Sequence, residues 1–176
     1  PKTTASGGTI FAMKDNDRSC TYTQAGVAST CNTGLKNVTT GSYSTSDSQD
    51  GFYINLSGTG EKMLADPTVF GGVVYFTSYT PPTGSGDLCL QGGTATLYAI
   101  NYTSGNGAFG GSARSMSLGA GIASSPMISM KPGGSTIGDI YVTLSGGGGV
   151  SASTQRVNFS PPGLSNRVNI FNWKDR

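Results

Sequence analysis

The side chains able to perform chemistry in this chain are few: nine Asp and Glu residues, eleven Lys and Arg residues, three cysteines and no histidine. Without histidine these residues form neither a Ser-His-Asp nor a Cys-His nucleophile pair, and they offer no imidazole proton shuttle. Asp66 and Asp87 have the chemistry of a glycosidase pair, but nothing in the sequence brings them together. Backbone-bonding turn residues are the favoured interpretation of both. We therefore expect no catalytic residue and no cofactor.

The three cysteines lack the spacing of zinc ligands, so we also expect no metal site. Cys20 and Cys31 flank a loop rich in Thr, Gly and Ala, and a disulfide between them would stabilise the fold by roughly 2–3 kcal/mol. Two unrelated buried thiols are the alternative. The polar surroundings and a composition typical of exported proteins favour the disulfide. Cys89 then either pairs with a cysteine outside this chain or stays free.

Length and composition predict a single β-rich domain over residues 1–176. Only 11% of the residues are charged and 28 are glycine, while β-branched and aromatic runs recur and long amphipathic helical patterns are absent. The net charge of +2 comes from scattered side chains, which predicts no nucleic-acid partner. No apolar run is long enough for a transmembrane helix, so we expect the chain not to span a membrane. Pro1–Thr4 does not resemble a signal peptide; for an exported protein, that segment was removed or lies upstream.

Three segments near the middle of the chain read as neighbouring strands. Thr68–Phe70 is short and apolar, Gly71-Gly72 suits a two-residue hairpin turn, and Val73–Thr77 returns with β-branched and aromatic residues. Thr96–Asn101 reads as a third strand that ends in a polar turn. Eight apolar side chains of this kind are expected in or near the core: Val74, Tyr75, Phe76, Tyr98, Ile100, Ile128, Tyr141 and Val142.

A weak internal repeat links these strands to the rest of the chain. Gly8–Asp15 matches Ala95–Tyr102 in the order small, Thr, aliphatic, aromatic, Ala, aliphatic. Pro67–Ser78 matches Pro126–Ser145, with a longer hairpin loop in the second copy. Polar residues 20–50 form a long connection, and residues 160–176 form a C-terminal strand and tail that ends near the single Trp.

These patterns predict an all-β fold of antiparallel, blade-like sheets that form part of a β-propeller. Propellers normally have about four to eight four-stranded blades, and the signals here suffice for about two. The chain is therefore expected to be the C-terminal part of a larger propeller. A β-sandwich-like globular head is the alternative.

The amino-acid sequences of several segments resemble one protein family. Residues 51–81 (GFYINLSGTGEKMLADPTVFGGVVYFTSYTP), 97–105 (LYAINYTSG), 121–126 (GIASSP) and 167–176 (RVNIFNWKDR) resemble the C-terminal propeller of PilY-type proteins, the tip-associated biogenesis and adhesion factors of type IV pili. The resemblance extends over roughly residues 8–176. It implies export, a place at the pilus tip with minor pilins, and roles in pilus extension, surface sensing and adhesion.

The resemblance also raises the question of calcium, because members of that family carry a D-x-D-x-D-G loop. The nearest candidate here begins at Asp15-Asn16-Asp17, but position six is Cys20 and position twelve is Gly26 instead of Glu. A plain polar turn is the favoured interpretation.

Three functional hypotheses follow. The first is a non-enzymatic extracellular component of a bacterial type IV pilus, acting in assembly or adhesion at the tip. Its partners would be minor or major pilins, other pilus components and a surface or host ligand. The second is a globular subunit that decorates a pilus-like filament through a separate helical pilin. The third is a fragment of a quinoprotein-like or hydrolytic propeller enzyme.

Overall fold

The computed structural model describes residues 7–13, 34–83, 92–131, 137–146 and 151–160. Within these ranges the fold is all-β: eleven strands, one short 3-10 turn at Gly110–Ser112 and no α-helix. The strands are β1 (Thr9–Met13), β2 (Lys36–Asn37), β3 (Gly51–Asn55), β4 (Lys62–Met63), β5 (Thr68–Phe70), β6 (Val73–Thr80), β7 (Thr94–Asn101), β8 (Ser115–Ala120), β9 (Met127–Met130), β10 (Gly138–Leu144) and β11 (Ser153–Phe159).

The strands form three sheets that follow one another along the chain. The first sheet has the order β1-β3-β2, the central sheet β4-β6-β7-β8 with β5 also paired to β6, and the third sheet β11-β10-β9. All pairings within these sheets are antiparallel except the two-residue pairing of β2 with β3. The prediction of antiparallel sheets in an all-β chain is confirmed.

The central hairpin forms where the sequence predicts it. Phe70 lies opposite Val73, so Gly71 and Gly72 alone make the turn, and their φ angles are +58° and +83°. Two positive φ angles in succession define the turn type whose twist matches that of the flanking strands, and glycine adopts them without strain. β6 then pairs with β7 over all eight residues of each strand.

The two copies of the internal repeat have the same strand arrangement. In each copy a strand that follows Pro67 or Pro126 forms an antiparallel hairpin with the next strand, β5 with β6 and β9 with β10. The third strand of each copy, β7 or β11, pairs on the other side of the middle strand. β1 and β7, whose sequences match, also pair in the same way. Each is antiparallel to the next long strand of the chain, β1 to β3 and β7 to β8.

The sheets pack face to face in chain order. One face of the central sheet, with Tyr75 and Leu97, forms a hydrophobic core with Ile140, Val142 and Phe159 of the third sheet. The ring of Tyr75 meets that of Phe159 edge-on at a centroid distance of 5.3 Å. Burying an aliphatic or aromatic side chain in this way contributes about 1.5–3 kcal/mol.

The opposite face of the central sheet packs against the first sheet. Phe76 and Tyr98, which lie opposite each other on β6 and β7, stack at 4.8 Å and join a second core with Phe52 and Ile54. Val38, which is fully buried, belongs to the same core, so part of the polar segment 20–50 packs inside the fold. Of the eight predicted core side chains, five are buried, and Val74, Ile128 and Tyr141 are half-buried.

Candidate functional site

A small apolar cavity opens where the first sheet meets the turn that follows β7. Its volume is about 220 Å³. Tyr43, Phe52 and Tyr102 supply its aromatic lining, and Ala12 and Met13 supply its aliphatic lining. Met13 and Tyr102 are 55% and 49% exposed, so the cavity is open to solvent between them. We call this cavity, with the further lining residues given below, the aromatic pocket.

Backbone packing between β1 and β3 shapes one side of the aromatic pocket. Gly51 lies opposite Met13 in the sheet, and a Cβ atom on Gly51 would come within 2.0 Å of the carbonyl oxygen of Ala12. Only glycine allows this approach. Gly51, Thr45 and Thr103 complete the lining of the pocket.

Hydrogen bonds hold Tyr43 in place. Its hydroxyl donates to the carbonyl oxygen of Gln49 at 2.6 Å, and its backbone N–H donates to the carbonyl oxygen of Ser104 at 2.8 Å. Its ring also lies 5.7 Å from that of Phe52. The side of the pocket formed by residue 43 is therefore fixed by both polar and apolar contacts.

The turn that carries Tyr102 and Thr103 is organised by one side chain. Asn101 Oδ1 accepts hydrogen bonds from the Thr103 N–H at 2.9 Å, the Thr103 hydroxyl at 2.6 Å and the Ser104 N–H at 3.2 Å. A short polar side chain that bonds the backbone two residues ahead stabilises such turns. This part of the pocket is thus ordered by local contacts.

Arg114 ties the central sheet to the loop before Tyr43. Its guanidinium donates to the carbonyl oxygens of Gly105 at 2.6 Å and Thr39 at 2.6 Å, and to that of Gly41. A planar fork of donors suits such a set of acceptors better than a lysine ammonium does. Partial burial lowers the pKa of Arg114 from its ordinary value.

The second unusual site is a buried carboxylate. Glu61 is only 2% exposed, and its Oε1 accepts hydrogen bonds from the Ser78 hydroxyl at 2.5 Å and the Tyr98 hydroxyl at 2.8 Å. Its Oε2 accepts from the backbone N–H of Gly58 at 2.8 Å. Three donors thus stabilise this carboxylate inside the protein. The sequence offers one signal for this site, which is that Glu61 is the only glutamate of the chain.

The buried tyrosines predict a loss of stability in alkali. Burial raises the pKa of Tyr75 to about 12, and burial together with the neighbouring Glu61 raises that of Tyr98 still further. Above the ordinary pKa of 10.0 the unfolded chain loses protons that the folded chain keeps, so the free energy of unfolding falls as the pH rises. We expect this decline between about pH 10 and 12, measured by urea unfolding with phenolate absorbance as a second probe.

Two variants separate this effect from general alkaline damage. Tyr98→Phe removes one of the two groups and should make the decline shallower, whereas Tyr102→Phe, at an exposed position, should leave it unchanged. A free energy of unfolding that stays constant from about pH 9 to 11 in the native chain would contradict the burial of both phenols.

A third polar feature lies on β10. Asp139 is 6% exposed, and its Oδ2 forms an ion pair with Arg156 of β11 at 3.1 Å. Its Oδ1 is buried and has no hydrogen-bond partner among the described residues. The hydrogen bond and charge of Asp139 raise the pKa of Arg156.

Most of the predicted site residues are not placed by the structure. Cys20, Cys31, Cys89 and Asp87 lie outside the described residues, as do Asp15-Asn16-Asp17 and the predicted last strand. The disulfide therefore stays a prediction. Asp66 is exposed after β4. Within the described ranges, no group of three or more His, Cys, Asp and Glu side chains is arranged to hold a metal ion. Nor has any helix in these ranges the length and apolar character needed to span a bilayer.

Comparisons with known proteins give no relative: the chain matches no protein-family model, no curated protein and no solved structure at a significant level. Fold and site define only a class. Over the described residues it is an all-β protein of three sheets, packed face to face and antiparallel apart from the pairing of β2 with β3, with an apolar pocket between the first and central sheets.

Proposed function

We propose that this protein is a non-enzymatic, extracellular, tip-associated assembly and adhesion factor of type IV pili, and that its sheets are consecutive blades of a β-propeller. In this proposal the five-stranded central sheet is one blade, in which β4 and β5 pair with different parts of β6 and together take the fourth strand position. β1 and β3 end the preceding blade, and β9 to β11 begin the next one. The remaining blades lie outside this chain.

The observation that carries the proposal is the repeated strand order in sheets that pack face to face in chain order. Propellers are built from four-stranded blades repeated around an axis, each covering the faces of its neighbours. Two segments of the central sheet, residues 62–81 and 97–105, have sequences that resemble PilY-type proteins. The low content of charged residues, 11%, is in keeping with an inert surface outside the cell.

Deletion of the gene from the bacterium that encodes it tests the functional part. We expect loss of surface pili and of attachment, seen by electron microscopy and an adhesion assay, and recovery of both when the intact gene is returned. Normal pili and normal attachment in the deletion strain would contradict the proposal.

Immunogold labelling then separates the tip factor from a subunit that decorates the filament. A tip factor labels one end of each filament, whereas a head carried by a helical pilin labels the whole length. Uniform labelling would favour the second hypothesis over the proposed function.

A further inference from the structure

The geometry points to a further role for the aromatic pocket: we infer that it binds one large apolar side chain, of the Phe or Leu class, from a partner polypeptide. The inference concerns the chemistry of the pocket and holds whether or not the protein belongs to a pilus.

The size of the pocket sets the size of its occupant. Ligand sites for drug-sized molecules have volumes of about 300–1,000 Å³, whereas a cavity of about 150 Å³ holds a benzene molecule. The aromatic pocket, at about 220 Å³, lies between these sizes and has room for one phenyl or isobutyl group.

The lining excludes charged occupants and disfavours sugars. Among the described residues that line the pocket there is no Asp, Glu, Lys or Arg, so a charged group would lose its hydration without gaining a counter-charge from them. A sugar needs hydrogen-bond partners for several hydroxyls. The hydroxyls of Tyr43 and Thr103 already donate to Gln49 and Asn101, so only those of Thr45 and Tyr102 remain as side-chain donors in the described lining. An apolar group makes no such demand and gains from the aromatic walls.

The walls are already in place before anything binds. Tyr43, the turn at Asn101 and the close approach of Gly51 to Ala12 are each held by the contacts described above. A preformed pocket spends little free energy on ordering when a ligand enters, which is typical of the pockets that receive anchor residues at protein interfaces.

The surface around the pocket favours a polypeptide over a free small molecule. Met13, at the pocket, lies on the same face of β1 as Phe11, which is 40% exposed. The ring of Phe11 lies 6.2 Å from that of Tyr53 on β3. Apolar surface thus continues from the pocket along the outer face of the first sheet, where the chain flanking an anchor residue would lie.

Titration with a designed peptide tests the inference on the purified chain. The probe is the capped peptide acetyl-Ser-Gly-Phe-Gly-Ser-amide, and its control carries Ser in place of Phe. In amide proton–nitrogen NMR spectra we expect saturable shifts around Tyr43, Phe52 and Thr103, with a dissociation constant on the order of 1–10 mM. The control peptide should produce no saturable shift.

Three variants locate the binding. Tyr102→Ala removes an exposed wall and should weaken binding about tenfold, and Thr103→Trp should fill the pocket and abolish it. Met127→Ala, which removes a 70% exposed apolar side chain on the third sheet, should leave binding unchanged. All three should keep well-dispersed spectra.

Several results would overturn the inference. The inference fails if the Phe peptide gives no saturable shift or if the control peptide binds equally well. It also fails if the well-folded Tyr102→Ala and Thr103→Trp variants bind the Phe peptide as the native chain does. Saturable binding of glucose at the same amides without binding of the Phe peptide would identify a sugar site instead. Because no pilus is involved, these results are independent of the gene-deletion test.

Discussion

Replacing Glu61 with alanine is expected to lower the free energy of unfolding by about 3–5 kcal/mol. The substitution leaves the hydroxyls of Ser78 and Tyr98 and the N–H of Gly58 without their acceptor in a site that is nearly closed to water. An unpaired buried donor destabilises by about 1–3 kcal/mol, and water entering the space left by the side chain offsets part of the sum. Urea unfolding followed by circular dichroism measures the change.

Two matched variants show whether the buried carboxylate is responsible. Glu61→Gln keeps the shape but turns an amide N–H toward a donor, and should destabilise by about 1–3 kcal/mol. Lys62→Gln, at the exposed neighbouring position, should change stability by less than about 0.5 kcal/mol. Equal stabilities of Glu61→Ala and the native chain would show that the Glu61 network is absent in solution.

The central hairpin illustrates what the sequence predicts well. Its signals are local: a proline before the first strand, two glycines able to adopt positive φ angles, and a run of β-branched and aromatic residues after them. The preference of these residues for strands agrees with their environment in the fold. The three predicted segments, Thr68–Phe70, Val73–Thr77 and Thr96–Asn101, all lie within observed strands. The internal repeat extended the same reasoning to Met127 and Ile140.

The sequence does not predict the strands in which apolar and polar residues alternate only weakly. β8 carries a single buried side chain, Leu118, and β11 has only Val157 and Phe159 turned toward the core, while the rest of both strands is exposed. Each lies at the end of the strand order of its sheet, where one side of the strand has no described neighbour. Such strands are positioned by the hairpin beside them, and their own composition carries little signal.

The sites depend on contacts that are distant in sequence. Glu61 meets Ser78 and Tyr98 at separations of 17 and 37 residues, and the aromatic pocket joins Met13 to Tyr102. No spacing rule links such residues. Their proximity follows from the stacking of the first sheet on the central sheet, which is known only once the fold is known. The sequence therefore predicts the sheets but neither the buried carboxylate nor the pocket.

Replacing Tyr98 with aspartate should be the most damaging single change, lowering the free energy of unfolding by about 4–5 kcal/mol or more. The new carboxylate would lie near Glu61 in a site that is 6% exposed, and the stacking of Tyr98 on Phe76 at 4.8 Å would be lost. Two like charges in a buried site cannot both keep their hydration, so either a proton is taken up or β7 leaves the core. Thermal unfolding measures the loss.

The matched controls separate burial of charge from loss of a hydrogen bond. Tyr98→Phe keeps the stacked ring and removes only the hydroxyl, with its hydrogen bonds to Glu61 and Ser57, which should destabilise by about 1–2 kcal/mol. Tyr102→Asp adds the same charge at a 49% exposed position four residues later and should change stability by no more than about 0.5 kcal/mol. The order Tyr98→Asp, Tyr98→Phe, Tyr102→Asp in decreasing damage follows directly from the packing of β7 between the two cores. A melting temperature of Tyr98→Asp equal to that of the native chain would contradict the assignment of the central sheet. Leu97 and Ile100 are buried on opposite faces of β7, and residue 98 lies on the same face as Ile100. No register of β7 can therefore bury Leu97 and Ile100 and leave residue 98 in solvent.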